Sequence, residues 1–298
     1  MPKKNQKSIY KMKKFTLMPI EEEQVRGLRS SVKKAPIRGL RSSVKKFNKY
    51  EVKDYPVETL IPQKIESSST QIPINSLMKE DIIPAHPFSA LFVGKSGSGK
   101  SNCLIYMINN FYKRYFERIV VIGQTVKSDG MYENFDENIA EEDIISDNLV
   151  EECKRILDER QAEVESKGVI NCSRMLVILE DATSERKLMA SQSFMKLFVQ
   201  LRHLGASVIC CAHKLRAIPR VCRLNAVALC VYILDRSDEQ ILIDEYCPRS
   251  LKKNEFADML KYIWTRTKEF QRPFLYYNRT LDEPIAYRKG FSEIMEIG

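Results

Sequence analysis

The sequence predicts an α/β fold in which helices flank a mostly parallel central sheet. Five apolar runs bounded by charged residues alternate with helical patterns from about residue 72 onward. Such alternation is typical of βαβ units, whose strands are buried on both faces of a parallel sheet. A glycine-rich loop directly follows the first apolar run. Ligands of such sheets bind at the carboxyl ends of the strands, so the loop indicates where a site is expected.

The elements follow from the pattern of apolar residues. The predicted strands are Phe88–Val93, Arg118–Ile122, Met175–Leu179, Ala206–Cys211 and Val227–Ile233. The predicted helices are Ser101–Phe116, Leu149–Ser166, Leu188–Leu204, Ser237–Cys247 and Phe256–Trp264. A hairpin-like end is expected around Pro273–Asn278 and Pro284–Tyr287. Together they predict one folded domain over residues 72–298.

The N-terminal segment 1–58 differs sharply from the rest of the chain. It has 16 Lys and Arg against 6 Asp and Glu, whereas the remainder is close to neutral. The nine-residue sequence RGLRSSVKK occurs at 26–34 and again at 38–46, but two copies are too few for a repeat fold. The composition predicts a basic tail of low order. It could neutralise phosphates, bind an acidic partner or direct nuclear import, or it could be a solvated tail without a partner.

Composition also excludes several classes of protein. The longest apolar run, Ala226–Leu234, is far shorter than the roughly 20 residues that span a bilayer, so no membrane partner is expected. The N-terminus lacks the apolar core of a secretory signal. The eight cysteines show no C-x-x-C spacing, and the three histidines do not cluster with them. We interpret the cysteines as reduced core residues in a reducing compartment.

The glycine-rich loop is a complete phosphate-binding motif, G-x-x-x-x-G-K-[ST], known as Walker A. The residues predicted to bind nucleotide are Gly94, Lys95, Ser96, Gly97, Ser98, Gly99, Lys100, Ser101 and Asn102. Its backbone N–H groups and the following helix N-terminus attract a triphosphate. Lys100 is expected to reach the β/γ-phosphates, and the Ser101 hydroxyl to ligate Mg²⁺. A Gly/Ser linker is the alternative, but linkers are not usually held between a buried strand and an amphipathic helix.

Two acids at the end of a strand are the second feature that indicates a nucleotide-hydrolysing site. They stand in the position of a Walker B motif. The apolar run Met175–Leu179 leads directly into Glu180 and Asp181. By position, Glu180 is predicted to hold Mg²⁺ and Asp181 to orient the attacking water. The order is the reverse of the usual one, in which Asp comes first. A surface acidic pair is the alternative interpretation.

Two further residues are candidates for catalytic roles. His213 follows the strand that begins at Ala206, where a polar side chain can sense the γ-phosphate. The alternative is that His213 is a loop residue with no function in catalysis. Arg202 precedes the same strand and is our candidate for an arginine supplied to the site of an adjacent subunit, with Arg223 as the second choice. The alternative for Arg202 is a solvated arginine near the negative end of a helix.

These segments together resemble the FtsK/HerA superfamily, and within it the genome-packaging ATPases of large DNA viruses, virophages and polinton-like elements. The resemblance covers roughly residues 72–278. It rests on the phosphate loop, Ile119–Asp129, the strand ending in Glu180 and Asp181, Leu201–Ser207, and the stretch from His213 to Ala226. The family commonly has Gln where His213 stands and Asp-Asp or Asp-Glu in place of Glu180-Asp181.

The resemblance implies a RecA/FtsK-like P-loop NTPase core that uses ATP and Mg²⁺. It also implies a homo-oligomeric ring, with six subunits favoured, that threads double-stranded DNA into a preformed capsid and contacts a capsid or portal component. The expected location is the host cytoplasm or nucleus at the site of virion assembly, with association with the virion left open.

Three other functions are compatible with a phosphate-binding loop. A non-packaging DNA pump for conjugation or segregation shares all the catalytic parts. A nucleotide kinase would need an arginine-rich lid, and a regulatory GTPase would need an N-K-x-D signature; neither is found in the sequence. Four basic residues between Lys214 and Arg223 could contact DNA in the pore of a ring or merely solvate a loop.

Overall fold

The computed structural model of the chain describes residues 52–54, 82–128, 132, 135, 139–267 and 271–295. The predicted tail 1–58 lies outside the described residues except for 52–54. Those three residues form an edge strand that pairs with Glu293–Met295, so part of the segment assigned to the tail belongs to the sheet.

The described residues contain ten strands and eight α-helices. The strands are Val52–Asp54 (β1), Ser89–Val93 (β2), Arg118–Ile122 (β3), Ile144–Ile145 (β4), Met175–Leu179 (β5), Ala206–Ala212 (β6), Ala228–Val231 (β7), Leu275–Asn278 (β8), Tyr287–Lys289 (β9) and Glu293–Met295 (β10). The helices are Lys100–Phe111 (α1), Leu149–Lys167 (α2), Arg186–Ala190 (α3), Gln192–Gln200 (α4), Arg220–Asn225 (α5), Arg236–Tyr246 (α6), Lys253–Ile263 (α7) and Glu283–Ala286 (α8). None of these helices has the length and apolar character needed to cross a bilayer.

All ten strands belong to one sheet, in the order β1-β10-β9-β8-β7-β2-β6-β5-β3-β4. The six strands from β7 to β4 are parallel, and β8, β9, β10 and β1 extend the sheet on one side by antiparallel pairing. The predicted α/β class with a mostly parallel central sheet is therefore confirmed.

The sheet is covered on both faces, as its continuous apolar strands require. Successive residues of β2 point to opposite faces, so Leu91 packs in one core cluster and Phe92 in the other. Helix α1 supplies Leu104 and Ile108 to the Phe92 side. Helices α2, α4, α5, α6 and α7 pack on the Leu91 side. The phosphate loop therefore lies between a buried strand and a helix on one face.

Three predicted elements differ from those observed. The helix predicted to run to Phe116 ends at Phe111. The helix predicted over 188–204 is broken, because the Ser191 hydroxyl accepts a hydrogen bond from the Phe194 N–H and begins a new helix there. The segment Pro284–Tyr287 is mostly helical, and the predicted hairpin is instead formed by β8 and β9, with α8 in the connection.

A buried arginine fixes the start of β6. Arg160 of α2 donates from Nε to the Leu204 carbonyl (2.8 Å) and from Nη2 to the Gly205 carbonyl (2.7 Å). Its Nη1 pairs with Glu163 at 2.7 Å. The guanidinium thus satisfies two carbonyl groups at the turn from which β6 emerges.

His86 also contacts the start of β6, through Ser207. The Ser207 hydroxyl accepts a hydrogen bond from the Phe88 N–H (3.0 Å) and lies 2.7 Å from Nδ1 of His86. The imidazole packs edge-on against Tyr115 and Phe116. Burial, reinforced by the positive charge of nearby arginines, lowers the pKa of His86 to about 4. The native state therefore holds a neutral imidazole here.

We expect the stability of the protein to fall as the pH is lowered from 6.5 toward 4. In this window the unfolded state binds a proton at His86 that the native state does not, which costs at most about 1.4 kcal/mol per pH unit. The variant His86→Gln cannot take up this proton, so the stability gap between it and the wild type should narrow as the pH falls. Thermal unfolding between pH 7 and pH 4.5 measures the gap. His203→Gln, at an exposed histidine, is the control, and a gap independent of pH would contradict the assignment.

Candidate nucleotide-binding site

The phosphate loop leaves the sheet where three parallel strands end together. Val93, the last residue of β2, is level with Ala212 of β6 and Val231 of β7. The Gly94 N–H continues this pairing by donating to the Ala212 carbonyl (3.1 Å). Gly99 has a φ of 103°, in the region that favours glycine, and α1 begins at the next residue. The loop therefore opens toward the N-terminus of α1, as the motif predicts.

Lys100 lies at the centre of the loop and is only 6% exposed. Its Nζ donates to the Gly94 carbonyl (2.8 Å) and the Lys95 carbonyl (3.2 Å), and it lies 3.3 Å from Nδ1 of His213. Burial lowers the pKa of Lys100, whereas Cys211, Glu180 and other neighbouring groups act in the opposite direction. The ammonium group is thus bound by groups that a phosphate oxygen could replace.

Ser101 and Glu180 face each other across the site. The Ser101 hydroxyl donates to Oε1 of Glu180 at 2.5 Å. The second oxygen of Glu180, Oε2, is buried and has no hydrogen-bond partner among the described residues. Hydroxyl and carboxylate oxygens are the donors that Mg²⁺ prefers. The pair predicted to hold Mg²⁺ therefore lies together, with one carboxylate oxygen still available.

Asp181 and His213 form the opposite wall. Asp181 has a left-handed backbone, with a φ of 48°. Its Oδ1 lies 2.8 Å from Nε2 of His213, a distance typical of an ion pair, although the two groups are not aligned as a hydrogen bond. Because Lys100 can only donate, Nδ1 of His213 accepts, and the proton of the neutral imidazole is then on Nε2, the nitrogen beside Asp181. His213 thus bridges the phosphate-loop lysine and the second acid.

These groups line a cleft of about 340 Å³. Thr125 and Arg272 also line it and were not among the predicted residues. Thr125 belongs to the loop after β3, which is the neighbour of β5 in the sheet, so its position could have been inferred from the strand order. Arg272 lies just before β8, and no sequence motif marks it. Gly123 is also required here, because a Cβ atom at this position would lie 2.5 Å from the Glu180 carbonyl oxygen.

The structure does not bring Arg202 to the site of its own chain. It is exposed and lies in a 3₁₀ turn, Leu201–Leu204, at the amino end of β6, whereas His213 follows the carboxyl end. The seven residues of β6 separate the two by about 20 Å. A role for Arg202 in the site of an adjacent subunit remains a prediction.

The second-choice arginine, Arg223, is bound within its own chain. It is 7% exposed, pairs with Glu245 (Nε to Oε2, 2.8 Å), and donates from Nη1 to the Ile218 carbonyl (2.5 Å). Its guanidinium therefore cannot reach a neighbouring subunit without breaking a buried ion pair.

The other basic residues of this stretch are largely neutralised as well. Arg216 pairs with Asp235 (3.3 Å), and Arg220 pairs with Glu245 (3.2 Å). Of the four basic residues in this stretch, only Lys214 makes no ion pair with a described acidic residue. The stretch is thus bound to α6 and to Asp235, which precedes that helix. Fewer of its positive charges are therefore available to contact DNA than the sequence indicates.

The chain matches a known protein family. The profile of the family described as Poxvirus A32 protein matches residues 75–279, which contain every residue of the cleft. No curated protein sequence matches the chain.

Solved structures with a similar fold are remote in sequence. The genome packaging NTPase B204 from Sulfolobus turreted icosahedral virus 2, in complex with AMP, is 13% identical, with a TM-score of 0.48 over 65% of this chain and 93% of that chain. The pCW3 conjugation coupling protein TcpA with ATPγS is 14% identical, with a TM-score of 0.46 over 71% and 60%. EssC (ATPases 2 and 3) from Geobacillus thermodenitrificans is 12% identical, with a TM-score of 0.46 over 70% and 39%.

Proposed function

Because this chain belongs to the Poxvirus A32 protein family, we propose that it is an ATP-driven double-stranded DNA translocase that packages a viral genome. The family match, which spans the whole cleft, is the observation that carries the proposal. It also confirms the likeness to FtsK/HerA-type packaging ATPases that the motifs predict. The geometry of the cleft supports nucleotide hydrolysis, and the coupling to DNA is our inference.

Nucleotide binding begins with the loop amides and the N-terminus of α1, which attract the triphosphate. Lys100 then exchanges the Gly94 and Lys95 carbonyls for phosphate oxygens, and its hydrogen bond to His213 is released. Ser101 and Glu180 would hold Mg²⁺, which screens the charge of the phosphates when it is bound.

The second acid is suited to orient and deprotonate the attacking water. Asp181 is less buried than Glu180, and its carboxylate faces the cleft beside Nε2 of His213. The longer side chain of Glu180 reaches Ser101 from the strand end, whereas the left-handed backbone turns the shorter Asp181 toward His213. The inverted order of the acids thus supports the assignment by position: Glu180 for the metal and Asp181 for the water.

We expect Asp181→Asn to retain ATP binding and to lose turnover by about 10²- to 10⁴-fold, the usual contribution of a general base. Asp158→Asn, at an exposed acid of α2, is the matched control. Equilibrium binding of ATP and steady-state phosphate release measure the two effects separately. Turnover at the wild-type rate in Asp181→Asn would show that another group activates the water.

The proposed motor is a homo-oligomeric ring, with six subunits favoured, in which Arg202 of one subunit reaches the site of the next. Ring motors contact DNA mainly through its phosphates, because any sequence must pass. A capsid or portal component is the expected docking partner, and virion assembly in the host cytoplasm or nucleus is the expected setting.

We expect double-stranded DNA to stimulate ATP hydrolysis, and the active species to have the mass of a closed ring. Phosphate release with and without DNA, measured together with the oligomer mass, tests both. A monomer that transfers phosphate to a nucleotide acceptor would indicate a kinase. DNA-stimulated hydrolysis without activation by empty capsids would favour a non-packaging pump.

Mixed rings test the role of Arg202. Rings made only of Arg202→Ala subunits or only of Lys100→Ala subunits should be inactive. The expected loss of turnover for Arg202→Ala is about 10³- to 10⁵-fold. Mixing the two should restore part of the turnover, because an intact site then receives an intact arginine from its neighbour. Normal turnover by Arg202→Ala alone, or no recovery on mixing, would contradict this role.

A further inference from the structure

Arg272 enters the nucleotide cleft from the antiparallel side of the sheet. Leu275, the first residue of β8, is level with Val231 of β7, which is in turn level with Val93 at the end of β2. Because β8 runs antiparallel to β7, the residues just before β8 lie at the edge of the sheet where the parallel strands end. The chain therefore returns to the phosphate loop about 170 residues after leaving it.

The side chain of Arg272 lies against the phosphate loop itself. A Cβ atom built on Gly99 would be 3.1 Å from Cδ of Arg272 and 3.4 Å from its Nη1. Gly99 immediately precedes Lys100, so the guanidinium lies beside the backbone expected to bind phosphate. Tyr232, the residue after β7, supports the same glycine, since its hydroxyl donates to the Gly99 carbonyl at 3.2 Å.

The charge of Arg272 is not neutralised by a described acidic residue. Neither acid of the cleft forms an ion pair with Arg272: Glu180 accepts from Ser101, and Asp181 lies beside His213. Arg216, Arg220 and Arg223 are bound in ion pairs, whereas Arg272 is exposed to the cleft. A guanidinium with free donors beside an anion-binding loop fits a phosphate group, which it can bind through two parallel hydrogen bonds.

The strand order indicates which end of the nucleotide Arg272 faces. In the sheet, β6 and β5 lie on one side of β2, and β7 and β8 lie on the other. His213 follows β6 and Asp181 follows β5. The water that attacks the γ-phosphate is therefore expected on the β6 and β5 side of the phosphate loop. Arg272 reaches the loop from the opposite side, toward the phosphates nearer the nucleoside.

We propose that Arg272 is a second nucleotide-binding cation, supplied in cis, that binds the α/β-phosphates shared by ATP and ADP. The inference rests on the proposed nucleotide binding and adds a residue to that site. It differs from the role predicted for Arg202, which acts in trans on the transferring phosphate. Arg272 should therefore contribute equally to substrate and product affinity and little to the chemical step.

The test compares ADP and a non-hydrolysable ATP analogue by titration calorimetry on the full-length chain. In Arg272→Ala both affinities should fall by the same factor, about 10- to 100-fold, as expected for the loss of charge-assisted hydrogen bonds. Arg272→Lys should recover part of the loss, since it keeps the charge but not the planar fork. Arg249→Ala, an exposed arginine after α6 at the opposite edge of the sheet, is the matched control and should bind as the wild type does.

The outcomes separate this inference from the proposed function. Unchanged ADP affinity in Arg272→Ala, whether or not the ATP analogue is affected, would overturn it while the nucleotide site stands. Failure of the wild type to bind either nucleotide would overturn the proposed function and this inference with it. Thermal unfolding without nucleotide shows whether Arg272→Ala is folded, and Arg272→Lys provides the comparison if it is not.

Discussion

The in-register parallel pairing of β2, β6 and β5 is the constraint on which the site depends. Val93 is level with Ala212, and Leu179 is level with Cys210, so the three strands end within two residues of one another. The phosphate loop, the two acids and His213 then leave the sheet at one edge. Because side chains alternate between faces, a slip of one residue would also turn the apolar residues of a strand toward the wrong core. Burial on both faces therefore fixes the geometry of the cleft.

The charged groups of the cleft are paired with one another. Lys100 is held by two loop carbonyls and by His213, and His213 in turn faces Asp181. A buried ammonium without such partners would be costly. Nucleotide binding must therefore replace existing contacts, and the acid expected to activate water is linked through one imidazole to the lysine expected to bind phosphate.

The parts of the fold that could be predicted are those encoded in continuous stretches. Five of the six parallel strands, the loop and the acids Glu180 and Asp181 each follow from a local pattern, whereas the two-residue β4 is too short to produce one. The break at Ser191 was missed because the apolar periodicity continues across it, although the hydroxyl begins a new helix. The pairing of Arg223 with Glu245 and the position of Arg272 depend on contacts between distant segments, which no local pattern encodes.

The left-handed backbone at Asp181 bears on which acid suits each of the two positions. Asp and Asn adopt that conformation more readily than other non-glycine residues, and a longer side chain would add strain of roughly 1–2 kcal/mol. Exchanging the two acids would place Glu in this left-handed conformation and the shorter Asp at the position from which Glu180 reaches Ser101. The Asp-Glu order would therefore add backbone strain at the turn and shorten the reach of the first acid, so the observed order is the one that suits this backbone.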